Sequence, residues 1–265
     1  MMRTLPDMFH GALQRLLELN VNVSQYLMGI GSASHVKTSG ERCLMREVLR
    51  RAKPEKGLCI FDVGANRGQF IEMIERGLDG LPHHVHAFEP SEHAFRQLAD
   101  AVRDNPNVTA NAFGLGCKKG IFNLYTDAPG SGLASLSQRR LDHFGINHSL
   151  KESVRIETLD EYCGQKGVQA IDLLKIDVEG HEIDVLRGGS RMIRSGNIGI
   201  ISFEFGGSNI DTKTYFQDFY YFFHDCGMNR IFRLTPFGRL VEIRDYREID
   251  EQFRTTNFVV MKEDA

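Results

Sequence analysis

Residues 61–70 read FDVGANRGQF and complete a short apolar run that begins with LCI at 58–60. An apolar run that passes straight into a glycine turn is the pattern of a buried strand handing over to a helix. The strand, 58–63, carries Asp62 to its carboxyl end. Gly64 permits a tight turn, and Gly68 lets the backbone of the next helix approach a ligand closely. The glycines follow a Gly64-x-x-x-Gly68 spacing. The G-x-G-x-x-G loop that seats a pyrophosphate on a helix amino terminus is absent from this stretch.

Outward from this turn the chain alternates strand-like and helix-like segments, which predicts an α/β fold with a doubly wound sheet. VHAFE (85–89) is a second strand, and Glu89 at its end is placed to accept both hydroxyls of a ribose. Ser91 is the expected cap of the following helix, whose buried side carries Ala94, Phe95 and Leu98. NVTANAF (107–113) is a third strand. Residues 114–157 interrupt the alternation with a hairpin strand and a long polar loop, which in a compact domain points to function or disorder. IDLLKID (171–177), a helix near 182–193 and the strand IGIISFEF (198–205) resume it. The aromatic stripe of 214–227 is a core-packing helix, and NRIFRL, RLVEI and NFVVMK close the sheet.

A carboxylate beside the glycine turn repels a diphosphate and attracts a cation. S-adenosylmethionine carries a sulfonium and an ammonium and no phosphate, so it suits this charge pattern better than a dinucleotide. Asp177 is expected at the end of a central strand, next to the first, with Glu179 two residues on and His181 opening a helix. Glu204 ends the neighbouring strand. HHVH (83–86) lies before its strand's carboxyl end and is read as structural or surface.

DVGANRG, AFEPS, LLKIDVEGHEIDVLRGG and ISFEF, in this order over about residues 57–207, resemble the FkbM family of S-adenosylmethionine-dependent methyltransferases. The resemblance implies a class I methyltransferase (Rossmann-like) sheet of seven strands with the last antiparallel. It also implies O-methylation of hydroxyls on sugars, glycans or polyketide-type secondary metabolites. Carried over by position, Asp62, Gly64, Ala65, Asn66 and Gly68 surround the methionine part of the donor, and Glu89 takes the ribose. Pro90 and Ser91 lie beside the adenosine, and Asn111, Ala112 and Gly114 at the adenine edge.

An aliphatic hydroxyl must lose its proton as the new bond forms, to a general base or with help from a Lewis acid. His181 at a helix amino terminus is kept neutral by the dipole and is the first choice of base. Asp177 and Glu204 line the acceptor side, and Asp177 also helps to position the donor. The carboxylates suit orienting the histidine. They suit a hard cation such as magnesium too, although no metal site is assigned. Acidic residues at a helix start are favoured by its dipole whatever their role.

With 265 residues, 42% hydrophobic and 25% charged, the composition is that of a globular protein, and the net charge of -3 gives no basic field for nucleic acid. Five scattered cysteines, with no CxxC pair, argue for free thiols in the cytoplasm and against a disulfide frame or zinc site. No apolar run is long enough to span a bilayer, and the first twenty residues do not read as a secretory signal. Residues 1–50 form a helical arm or cap, and 51–265 the methyltransferase domain. The arm's Leu13, Leu16, Leu17 and Leu27 must bury themselves, through substrate capping or a homodimer. The polar loop at 126–150 is placed to fold over a sugar, glycan or other small hydroxylated acceptor. A dinucleotide-dependent oxidoreductase and a non-catalytic S-adenosylmethionine-binding subunit are the competing readings.

Overall fold

The computed structural model describes residues 5–33, 39–51, 57–78 and 80–263. Helices α1 (Leu5–Leu27) and α2 (Arg42–Arg51) precede strand β1 (Leu58–Val63). Then follow α3 (Gln69–Gly77), β2 (His83–Phe88), α4 (Glu92–Ala101), β3 (Val108–Asn111), β4 (Gly114–Leu115), β5 (Gly120–Thr126) and β6 (Leu150–Glu157). The remaining elements are α5 (Leu159–Lys166), β7 (Ile171–Ile176), α6 (Glu182–Gly188), α7 (Ser190–Arg194), β8 (Ile198–Phe205), α8 (Ser208–Thr212), α9 (Phe216–Asp225), β9 (Arg230–Leu234), β10 (Leu240–Ile243) and β11 (Thr256–Met261).

The main sheet runs β10-β9-β11-β8-β7-β1-β2-β3. Strands β3, β2, β1, β7 and β8 pair in parallel, and β11 enters antiparallel to both β8 and β9. This is the expected class I arrangement, with β10 added at the edge as the hairpin partner of β9. The strand order reverses between β1 and β7, so the crevice outside their carboxyl ends is where such a sheet binds ligands. A second, three-stranded sheet, β4-β6-β5, stands apart. It shortens the expected loop, because Leu150–Glu157 pairs along β5.

Alternation along β1 sends Phe61 and Val63 to one face of the sheet and Ile60 to the other, and both faces are buried. On the first face α9 packs Phe216, Phe219 and Phe223, with the Phe216–Phe258 and Phe203–Phe219 ring centres 4.4 and 4.6 Å apart. The aromatic stripe is thus core. The single helix expected over 182–193 is two, because the Asp160 carboxylate accepts the backbone N–H groups of Arg191 and Met192 at 2.9 and 3.0 Å and restarts the chain as α7. The second face is covered by α2, α3 and α4.

The arm expected over 1–50 therefore divides. Cys43, Leu44, Met45 and Val48 of α2 are buried in the same cluster as Ile60 and Ile74, and the expected boundary at 50/51 falls inside α2. Residues 1–4 and 52–56, beside these boundaries, lie outside the described residues, as do 264–265. Only α1 projects. Among the described residues no helix is long and apolar enough to cross a membrane, and the five cysteines are unpaired.

Candidate active site

A cleft of about 1380 Å³ opens over the carboxyl ends of β1, β2, β7 and β8. Its floor is the glycine turn. The N–H groups of Gly64 and Ala65 both donate to the carbonyl of Phe88 at 3.0 Å, and the N–H of Asp177 donates to Val63 at 2.9 Å, so three strand ends are laced together. Gly64 sits at φ 82, and a Cβ there would stand 1.8 Å from the carbonyl oxygen of Asp177. No other residue fits. Asn66 adopts φ 47, and its buried Oδ1 has no partner.

Glu89 is held from both sides, its Oε2 accepting from the N–H of Asn66 and its Oε1 from that of Ser91, each at 2.9 Å. Burial nonetheless pushes its carboxyl up to about 7, against an ordinary value of 4.5. A carboxyl raised in the folded state binds protons more tightly there than in the unfolded chain. Its contribution to stability is complete below about 4.5 and is lost as the pH rises through about 7. The ligand-free protein is expected to lose melting temperature across that window. Glu89→Gln should flatten the slope, removing on the order of 3 kcal/mol of pH-dependent stability. Calorimetric scans at stepped pH check this, and an unchanged slope in the variant would refute it.

The opposite wall carries Asp177, Glu179 and Glu204, each offering an oxygen within 4.8 Å of the others. Two of them are already paired. Lys175 Nζ lies 3.2 Å from Asp177 and 3.6 Å from Asp62, and Arg139 Nη1 lies 2.6 Å from Glu179. Glu204 has no hydrogen-bond or ion-pair partner among the described residues. Burial, then the charges of Asp177, Glu179 and Glu182, hold its carboxyl well above the usual range. Burial and Asp177 also push Glu179 up to about 8, and its backbone stands at φ 52. The oxygen set is of the kind that magnesium uses, but the ammonium and guanidinium supply the positive charge that an ion would bring. The residues therefore do not favour a metal.

His181 is engaged at both ring nitrogens, Nδ1 with Asp184 Oδ2 at 2.9 Å and Nε2 with Ser137 Oγ at 3.0 Å. The hydrogen bond from His181 pulls the Asp184 carboxyl below its ordinary value. Glu182 is turned inward, its Oε1 accepting from the N–H groups of Val178 and Gly180.

A family model described as "Methyltransferase FkbM domain" matches residues 62–229, more than half of the chain. The chain belongs to the FkbM methyltransferase-domain family. A relative from Streptomyces tacrolimicus, 31-O-demethyl-FK506 methyltransferase FkbM, is 33% identical over a 172-residue alignment that covers 56% of this chain and 64% of that protein. Hexuronic acid methyltransferase AglP of Haloferax volcanii is 27% identical over 170 residues, 63% of this chain and 64% of that protein. The chain thus spans less than two thirds of the length of either. A solved methyltransferase FkbM from Methylobacillus flagellatus KT shares the fold at a TM-score of 0.50 and 13% identity, covering 92% of this chain and 60% of that one.

Within this FkbM domain, Gly64, Ala65, Asn66, Glu89, Pro90, Gly114, Asp177, His181 and Glu204 all line the cleft. Others expected there do not. Asp62 is fully buried beneath the floor, because its side chain shares a sheet face with Lys175, its neighbour in register, and its two oxygens make no hydrogen bond. Gly68 stands behind the turn as the N-cap of α3, and the Ser91 N-cap makes no side-chain capping bond. Asn111 turns its amide back to the carbonyls of Ala87 and Thr109, and Ala112 is exposed outside the cleft. His84 and His86 are structural, bonded to Thr109 and Tyr162 at 2.8 Å.

The polar residues of the long loop fasten the loop itself. Ser135 donates to the carbonyl of Glu179, Ser137 meets His181, Arg139 pairs with Glu179 and Asp211, and His148 bonds the Leu133 carbonyl. Leu133, Ala134, Leu136 and Phe144 face the cleft, together with Ser131, Gly132 and Arg139. Sequence reasoning did not find Glu41, which α2 brings to the cleft wall, or Asp184. The three-residue spacing of His181 and Asp184 on a helix was the available signal.

Proposed function

We propose that this protein is an S-adenosylmethionine-dependent O-methyltransferase acting on a hydroxyl of a sugar, a glycan or a related polyhydroxylated molecule. The observation that carries the proposal is one continuous cleft. It joins the Gly64–Asn66 turn and Glu89 to a wall bearing Glu204, the one of that wall's three clustered carboxylates with no cationic neighbour in hydrogen-bonding range among the described residues. When bound, S-adenosylmethionine supplies a methyl group on a positively charged sulfur. Gly64, Ala65 and Asn66 would hold its methionine part, with the unpartnered Asn66 Oδ1 free to accept a hydrogen bond. The remaining lone pairs of Glu89 would take the ribose hydroxyls.

The acid-lined wall favours a cationic donor over a diphosphate. Glu204 takes the acceptor's proton as the carbon–oxygen bond forms, and its raised carboxyl makes it, once ionised, a stronger base than an ordinary glutamate. Asp177, held by Lys175, orients the donor and acceptor. His181 is the base that the sequence favours. With both nitrogens occupied it instead ties the start of α6 to the loop.

The acceptor class draws support from the name of AglP, a hexuronic acid methyltransferase. It also draws support from Phe144, 70% exposed at the cleft rim, on which the C–H face of a pyranose can pack. Phe144→Ala is expected to raise the KM for such an acceptor about tenfold, or about 1.4 kcal/mol of lost contact, with turnover and donor affinity unchanged. Steady-state kinetics would refute this by giving an unchanged KM.

Calorimetry with S-adenosylhomocysteine against NAD, followed by mass spectrometry of a nucleotide-sugar and oligosaccharide panel, tests the whole. S-adenosylhomocysteine binding and a gain of one methyl group support the proposal. NAD binding alone returns the oxidoreductase, and donor binding with no methylated acceptor returns the non-catalytic subunit.

A further inference from the structure

Helix α1 is inside out. Leu13, Leu16, Leu17, Leu19, Val23 and Leu27 are 42–62% exposed, whereas the α1 side chains that bond to the rest of the domain are the polar Asn22 and Gln25. Arg254 Nη1 donates to Asn22 Oδ1 at 2.9 Å and Gln25 Oε1 at 2.5 Å, and Gln25 Nε2 donates to Gln252 at 2.8 Å. Arg233 Nε pins the Met28 carbonyl at 3.0 Å. The helix is fixed at its carboxyl end, with its apolar side outward. Scattered exposed leucines need no explanation, but a continuous apolar face marks an interaction surface.

We infer that α1 pairs with α1 of a second copy of this chain. The spacing selects the occupant. Leu13, Leu16, Asn20, Val23 and Leu27 recur at alternating intervals of three and four, which is the a/d seam of a helix pair. Asn20 sits at the middle of that seam and is exposed. Across a two-fold axis its amide can donate to and accept from the same amide of the second copy, a pairing that also sets register. In lipid that amide would have no partner. Residues 11–27 of the helix carry one basic side chain, Arg15, and one acidic one, Glu18, unlike the basic polar face of an interfacial membrane helix. At 1.5 Å per residue the helix is about 35 Å long, ample for such a seam. Arg254, which anchors α1, also lines the cleft, so pairing braces one cleft wall.

Light scattering on the full chain, over a hundredfold range of concentration, is the test. The wild type is expected at twice the chain mass of 30.0 kDa. The double variant Leu16→Glu, Val23→Glu is expected at the single-chain mass with its folded circular dichroism spectrum retained, because both positions are exposed in the single chain, and its melting temperature should no longer depend on concentration. Asn20→Leu is expected to keep association while admitting species larger than two chains. A single-chain wild type overturns the inference, as does a double variant that remains paired. A single-chain wild type that co-sediments with phosphatidylcholine–phosphatidylglycerol vesicles assigns the face to lipid instead.

Discussion

Glu204→Gln is expected to lower turnover by about a hundredfold to ten-thousandfold while leaving affinity for S-adenosylhomocysteine within about twofold, the pattern of a lost general base. Gln keeps the shape and removes the proton acceptor. The wild-type rate should climb with pH as Glu204 ionises, since burial and the neighbouring Asp177 and Glu179 oppose that ionisation, and the residual rate of the variant should lack that limb. His181→Gln is the contrast. With Nδ1 on Asp184 and Nε2 on Ser137, the imidazole has no free nitrogen for the acceptor, so most of the turnover should survive. If His181→Gln abolished turnover and Glu204→Gln preserved it, the base would be the imidazole, released from Ser137 when the acceptor binds.

Gly64→Ala carries the largest expected effect on stability. A Cβ at Gly64 would stand 1.8 Å from the carbonyl oxygen of Asp177 at a φ of 82, so the β1 and β7 ends must part to admit it. That costs about 3–5 kcal/mol, in the range reserved for core disruption, and donor binding should go with it. Gly80→Ala isolates the conformational part. Gly80 has φ 76, and a Cβ there would meet nothing within 4 Å, so about 1 kcal/mol is expected. Chemical denaturation of the two variants separates clash from strain, and equal losses would refute the clash.

The glycine turn, the alternation of strands and helices, and the acidic strand ends were legible because each follows from local spacing. LCIFDV, IDLLKI and IGIISFEF could only be buried strands, and a strand's carboxyl end in a doubly wound sheet has one place to go. What was not legible depends on register and on distant contacts. Asp62 sits at the right height on β1 but on the face where Lys175 of β7 waits, and only the pairing of those two strands reveals it. Glu41 arrives at the cleft because α2 packs across the second sheet face, a contact between segments with no shared pattern. The loop's serines and arginines read as ligand-binding by composition. Ser135, Ser137 and Arg139 are spent on holding the loop against Glu179, His181 and Asp211, and that assignment needs coordinates.

The loop that contributes Leu133, Leu136 and Phe144 to the cleft hangs between β5 and β6, in a small sheet that shares no strand with the large one. Its length and tip can therefore change without shifting the register of any strand beneath the donor. On the proposed function, this would separate what the domain transfers from what it transfers to. On that same function, a chain with the same floor would change acceptor by rewriting this one insertion, and exchanging it would be the natural route to retargeting the chemistry.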